Sequence, residues 1–335
     1  MRPFHSLVLA IGSTMVITIA LPLAGAVLEE DFSANPFERG WHVFGDTNLF
    51  SWNASEGNLR VTWDSRQTNS YFYRPLGTIL SQQDSFSVAF DLHLTDLTPN
   101  IDPNKTNAPF QIAVGLIRIE DATSSGFVRG SGFQSPNLVE FDFFPDPGGN
   151  WQWGPSLTAI ICDRTGLNWS SGGFAPAELT LNDVFRITMT YDATNQTLTT
   201  VIMRNGEPFL TIPPAVLGTN FTELRVDAVA VCSYSDVGQW PGFEGSILAH
   251  GSVDNFVLTL PPPPVRNLNG IYTNSTWKAT FLTTSNWVYT WEISTNLADW
   301  EQLSTPFIGT GERVFMEHFN PPSEKAFYRV RAQRP

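Results

Sequence analysis

Between residues 58 and 260 the chain keeps returning to one pattern, a short run alternating apolar and polar residues and closed by Gly, Pro, Asn or Asp. The runs are 58–63, 85–94, 110–119, 138–144, 157–162, 184–191, 197–203, 223–231 and 252–260. Alternation of period two sends successive side chains to opposite faces of a strand, whereas a helix repeats every 3.6 residues. Helical periodicity is nearly absent. The pattern therefore predicts an all-β fold, an antiparallel sandwich or jelly roll, with its clearest hairpin at 185–203 around the turn 192–195.

Pro261, Pro262, Pro263 and Pro264 interrupt this regime. Proline has no N–H to give to a β ladder, and a run of four sets a stiff spacer, so a domain boundary is placed at 261–264. Beyond it, 278–283, 288–293, 301–303 and 327–331 read as strands of a small C-terminal β-sandwich spanning 265–335. Before it, 27–260 forms the large domain. The start of the chain is different again. Arg2 and His5 precede an apolar run from 7 to 23 that ends in Ala24, Gly25 and Ala26, the form of a secretory leader over 1–26. The remaining chain is read as secreted, extracellular or at the cell surface, with no membrane insertion.

Charge narrows the partners. The chain has 19 Lys and Arg against 32 Asp and Glu, a net charge of −13. Nucleic acids and anionic lipid surfaces are held by basic patches, so neither is expected as a partner. Two cysteines, Cys162 and Cys232, stand 70 residues apart. In an oxidising compartment such a pair is expected to form a disulfide, worth about 4 kcal/mol for a loop of that length. Two small buried hydrophobes is the alternative.

The most informative segment is Val139-Glu140-Phe141-Asp142-Phe143-Phe144-Pro145-Asp146. Val139, Phe141 and Phe143 share one strand face and suit a core. Glu140, Asp142 and Phe144 share the other, which gives two carboxylates and an aromatic where a bland strand carries Ser or Thr. Here the sequence resembles the concanavalin A-like (legume-lectin and laminarinase-type) jelly rolls, and the likeness extends over most of 27–260. In that family the strand's Glu and Asp and the following loop hold metal. The resemblance thus implies a metal site at Glu140, Asp142 and Asp146, with calcium as the ion because the family's histidine has no counterpart here.

The same comparison removes two activities. The stretch Ala113-Val114-Gly115-Leu116 lacks the acid that orients a monosaccharide in legume lectins. Laminarinase-type hydrolases place a second glutamate two or three positions after the Asp, where this chain has Phe144 and Pro145. Retaining glycoside hydrolysis needs two carboxyl groups about 5 Å apart, so the chain is read as non-catalytic. Binding falls instead to aromatics and an amide that can stack on sugar rings and bond their hydroxyls: Asn150, Trp151 and Trp153 in one loop and Trp240 in another. The reading is a secreted carbohydrate-binding or adhesive protein whose partner is a polysaccharide or cell-surface glycan. An unconventional glycoside hydrolase using Glu140 or Asp142 is a second reading, and a structural surface protein without a small ligand is a third. The C-terminal stretch from Trp291 to Trp300, with Phe327-Tyr328-Arg329-Val330-Arg331, resembles fibronectin type III-like modules, which space or display a neighbour.

Overall fold

The computed structural model describes residues 26–130, 135–145, 154–322 and 325–334. The leader expected at 1–26 lies, except for Ala26, outside the described residues. In chain order the large domain carries β1 (Ala26–Glu30), β2 (His42–Phe44), β3 (Phe50–Asn53), β4 (Asn58–Asp64), β5 (Ser70–Leu80), β6 (Phe86–Pro99), β7 (Ile112–Ile117) and β8 (Leu138–Phe144). There follow β9 (Ser156–Cys162), β10 (Trp169–Ser171), β11 (Ala175–Pro176), β12 (Val184–Asp192), β13 (Thr197–Arg204), β14 (Glu207–Val216), β15 (Val226–Ser233) and β16 (Ile247–Leu260).

These strands form two antiparallel eight-stranded sheets. The back sheet runs β14-β13-β12-β6-β16-β4-β3, with β1 also on β16, and the front sheet runs β10-β9-β8-β7-β15-β5-β2, with β11 also on β9. The alternation read from the sequence sets what lies between them. Phe90 of the back sheet and Phe141 of the front sheet meet with ring centroids 6.1 Å apart. Trp41 stacks on Phe72 at 4.8 Å and meets Phe256 of the back sheet at 5.4 Å. The architecture is thus the all-β jelly-roll sandwich that the alternating runs predict. Residues 26–30 pair with 256–260, so the two ends of the large domain are hydrogen-bonded to each other.

After the prolines, β17 (Arg266–Thr273), β18 (Thr276–Leu282), β19 (Val288–Ser294), β20 (Glu301–Gln302), β21 (Phe307–Ile308), β22 (Arg313–Phe319) and β23 (Phe327–Gln333) make a three-stranded and a four-stranded sheet. Their own small core gathers Phe281, Tyr289 and Trp291.

One expectation is corrected by the topology. Cys162 and Cys232 are free thiols, both buried. Cys162 ends β9 and Cys232 lies in β15, with β8 and β7 between them. Three strand spacings amount to about 14 Å, whereas a disulfide needs Cα atoms within about 7 Å. The two residues are the small buried hydrophobes of the alternative reading.

Candidate functional site

The acids of β8 sit on the front sheet's outer face, as their alternation with Phe141 requires, but that face is not open. Every residue of β8 is buried, Glu140 at 0% and Asp142 at 1% exposure. Strand register places their neighbours. One cross-strand row reads Tyr71, Cys232, Ala113, Asp142, Thr158, and the adjacent same-face row contains Ala230, Gly115, Glu140 and Ile160. Phe144 pairs with Ser156, and Gln111 stands two residues before Ala113 on the same side. Gly115 is required here: a Cβ would come within 2.1 Å of the Val139 carbonyl, so β7 and β8 approach more closely than a side chain permits.

A buried arginine answers the two carboxylates. Arg129 donates from Nε to Glu140 Oε2 at 3.1 Å and from Nη2 to Asp142 Oδ2 at 3.0 Å. The Tyr234 hydroxyl donates to Glu140 Oε1 at 2.6 Å, and the guanidinium lies over the Tyr234 ring at 5.8 Å. Phe127 and Tyr71 pack around that ring, with centroids at 6.4 and 5.9 Å. The roof is tied down by Asn69, whose Nδ2 donates to Phe127 O while its Oδ1 accepts from Ser235 N. Burial drives the Asp142 carboxyl well above the ordinary carboxylate range; Arg129 opposes this and Glu140 adds to it. Burial likewise pushes the Tyr234 hydroxyl up.

This geometry tests the metal expectation. Calcium takes six to eight oxygens. Both Glu140 oxygens and Asp142 Oδ2 are already engaged, and a guanidinium stands beside them. Of the four carboxylate oxygens, Asp142 Oδ1 is the one without a partner among the described residues. Among the described residues no group of three His, Cys, Asp or Glu side chains converges on a metal position. The described residues therefore do not fit a calcium ion. Asp146, the third expected ligand, lies outside them.

The same face holds further polar atoms without partners. Gln111 Oε1 and Nε2, Ser156 Oγ, Thr158 Oγ1, Tyr71 OH and Asp142 Oδ1 are all buried with no hydrogen bond among the described residues. Leaving a buried polar group unpaired costs about 1–3 kcal/mol, and here several stand in adjacent rows of one sheet face. Beside them stands an aromatic margin. Phe144 meets Phe174 edge-on at 5.5 Å, and Phe174 is half exposed.

Of the ligand-binding residues expected from the sequence, Trp240 is 55% exposed, in a turn closed by Phe243 N donating to Trp240 O. That turn is braced by Gln239, whose side chain both donates to and accepts from the Gly245 backbone. It follows β15 at the sheet end where β8 also finishes. Asn150, Trp151 and Trp153 lie outside the described residues. Sequence reasoning missed Arg129, Tyr234, Gln111, Ser156 and Thr158. The hydroxyls of Ser156 and Thr158, alternating within an apolar strand, were the available signal; Arg129 offers none, since it arrives from a loop.

No protein-family model matches the chain, and no curated protein matches it. Solved structures similar to it include peanut lectin, at 15% identity over 71% of this chain and 100% of that one, with a TM-score of 0.43. Lectin II from Ulex europaeus is 13% identical over 71% of this chain and 99% of that one, with a TM-score of 0.46. Alginate lyase Aly36B is 12% identical over 72% of this chain and 98% of that one, with a TM-score of 0.35.

Proposed function

We propose that this chain is an exported carbohydrate-binding protein whose front sheet receives a sugar residue between the Phe144–Phe174 margin and the unpartnered polar row behind it. The observation that carries the reading is the set Gln111, Ser156 and Thr158 with Asp142 Oδ1, polar groups of neighbouring rows that are buried without hydrogen-bond partners among the described residues. Sugar hydroxyls both donate and accept, and a sugar's apolar face suits an aromatic edge. Binding would thus satisfy groups that folding leaves unpaired. Arg129 holds both β8 acids in ion pairs, which favours binding over cleavage because neither is free to act as a nucleophile. The leader-like start supports export, and the C-terminal module, with its likeness to fibronectin type III, would serve display.

The test is a glycan array and polysaccharide pull-down with the full chain and the variants Q111A, T158V and F174A. Each variant should weaken capture at least tenfold while melting like the parent. Undiminished capture by all three would overturn the site. Release of reducing ends from a polysaccharide that disappears in D142N would overturn the non-catalytic reading.

A further inference from the structure

The outer face of the back sheet carries a trough of about 830 Å³ that shares no residue with the polar rows of the front sheet. Its floor is built by register from three rows. Thr62 and His250 form the first, with Asp96 next in register; Arg60, Ser252 and His93 form the second; and Asp254 and Asp91 form the third, with Arg186 next in register. These positions alternate with the core residues Val61, Val253, Leu92 and Phe185, which explains why they face outward. Two irregularities in β16, between His250 and Gly251 and between Asp254 and Val257, break the regular ladder. Bulges of this kind re-aim side chains and are common beside functional sites. Asn255 occupies the second one in the left-handed region, with φ +49°, a conformation asparagine tolerates better than most residues.

The charges of the third row do not balance. Arg186 Nη1 donates to Asp91 Oδ1 at 3.1 Å and to the Asn255 carbonyl at 2.5 Å, and Asn255 Nδ2 donates to Asp91 Oδ2 at 2.9 Å. Asp91 is thereby satisfied. Asp254 has one hydrogen bond, from the Asn255 backbone N–H at 2.6 Å, and no ion pair among the described residues. Elsewhere in the trough Arg60 is paired with Glu56 at 3.6 Å, and His250 Nδ1 lies 2.7 Å from Asp96 Oδ1. Burial raises the Asp254 carboxyl to about 6; the Asp91 and Asp31 carboxylates push the same way, and the Asn255 N–H and Arg186 oppose them. Arg186 is the cation of this row and is bonded to Asp91, so Asp254 keeps a carboxylate oxygen without a hydrogen bond among the described residues, and Ser252, Thr62 and His93 add further hydrogen-bonding groups to the floor.

We infer that the trough is a second ligand site, for a hydroxylated chain that bears a primary ammonium group, that is, an oligosaccharide of unacetylated amino sugars. The ammonium sits at Asp254, where it donates to the carboxylate oxygen that has no hydrogen bond among the described residues. The hydroxyls along the chain meet Ser252, His93 and Thr62. The inference rests on this face alone and does not require the front-sheet reading.

Calorimetric titration of the full chain with three tetramers of one linkage tests it: glucosamine, N-acetylglucosamine and glucose. The glucosamine tetramer should bind saturably, one per chain, and the other two at least tenfold more weakly. D254N keeps the side chain's shape and its acceptor for Asn255 N–H, and should lower glucosamine binding at least tenfold, with its melting curve confirming the fold. Q111A should leave glucosamine binding unchanged. Equal binding of the three tetramers, no binding of glucosamine, or undiminished binding by D254N would overturn the inference. Loss in Q111A with retention in D254N would place the amine on the front sheet instead, and would overturn it equally.

Discussion

Arg129 Nη2 stands 3.0 Å from Asp142 Oδ2 in a space where the arginine side chain is 5% exposed and the aspartate 1%. Glu140 shares the guanidinium at 3.1 Å. Taking one partner from a buried ion pair leaves an uncompensated charge and costs about 3–5 kcal/mol, whereas replacing the whole group by neutral side chains is far cheaper. R129M should therefore lower the urea unfolding free energy by about that amount. R129M combined with E140Q and D142N should recover more than half of the loss. If R129M alone costs under about 1 kcal/mol, the triad is not the internal support that its geometry implies.

Cys162 and Cys232 are buried free thiols, and burial pushes both well above the usual thiol range. The thiolate is the reactive form, so a thiol reagent should meet neither residue in the folded chain at any useful rate. After denaturation without reductant, both thiols should titrate. Reductant should leave the melting temperature where it was. Recovery of no thiols on denaturation would restore the bridge that the strand order excludes.

How much of this was legible in the sequence follows from which contacts are local. The run 138–144 is β8 to the residue, and Val139, Phe141 and Phe143 face the core as alternation demands. Strands β5 and β14 were not read, because Pro75 and Gly77 break the first and Pro208, Pro213 and Pro214 the second. The fold accommodates them with a register shift between β15 and β5 and by leaving β14 at the sheet's edge. Glu140 and Asp142 were legible as acids off the core face. Their burial was not, since the roof of Phe127, Arg129 and Tyr234 comes from loops whose positions no periodicity encodes. The trough was invisible for the same reason: Arg60, His93 and Asp254 look like ordinary surface residues until β4, β6 and β16 are laid side by side.

Asp254 carries a stability signature of its own. Its carboxyl is raised from 3.8 to about 6, by burial first and then by Asp91 and Asp31, with Arg186 opposing. Between those values the folded chain binds more proton than the unfolded one, so the contribution is full below pH 3.8 and is lost as pH climbs through 6. D254N removes the titration. Allowing for partial exposure to solvent, it should be more stable than the parent by about 1–2 kcal/mol at neutral pH and no more stable in acid. Unfolding curves of both proteins across this range decide it. A difference independent of pH would show that charge is not the cause.

Arg334 couples the two domains. Its guanidinium pairs with Asp84 of the jelly roll, its Nε reaches the Ile79 carbonyl at 3.4 Å, and it lies over the Trp287 ring of the C-terminal module at 4.3 Å. The arginine side chain is 7% exposed and Asp84 11%, so solvent screens the pair little. Asp84 also accepts from the backbone and hydroxyl of Ser81, which fixes it before the arginine arrives. A planar guanidinium serves this site because one group must meet a carboxylate edge-on while stacking on an indole face, and an ammonium does only the first. R334A should therefore split thermal unfolding into two transitions, with the C-terminal module melting first and the linker 261–264 gaining susceptibility to protease. R334K should retain part of the coupling. A single unshifted transition in R334A would mean that the prolines alone set how the modules stand.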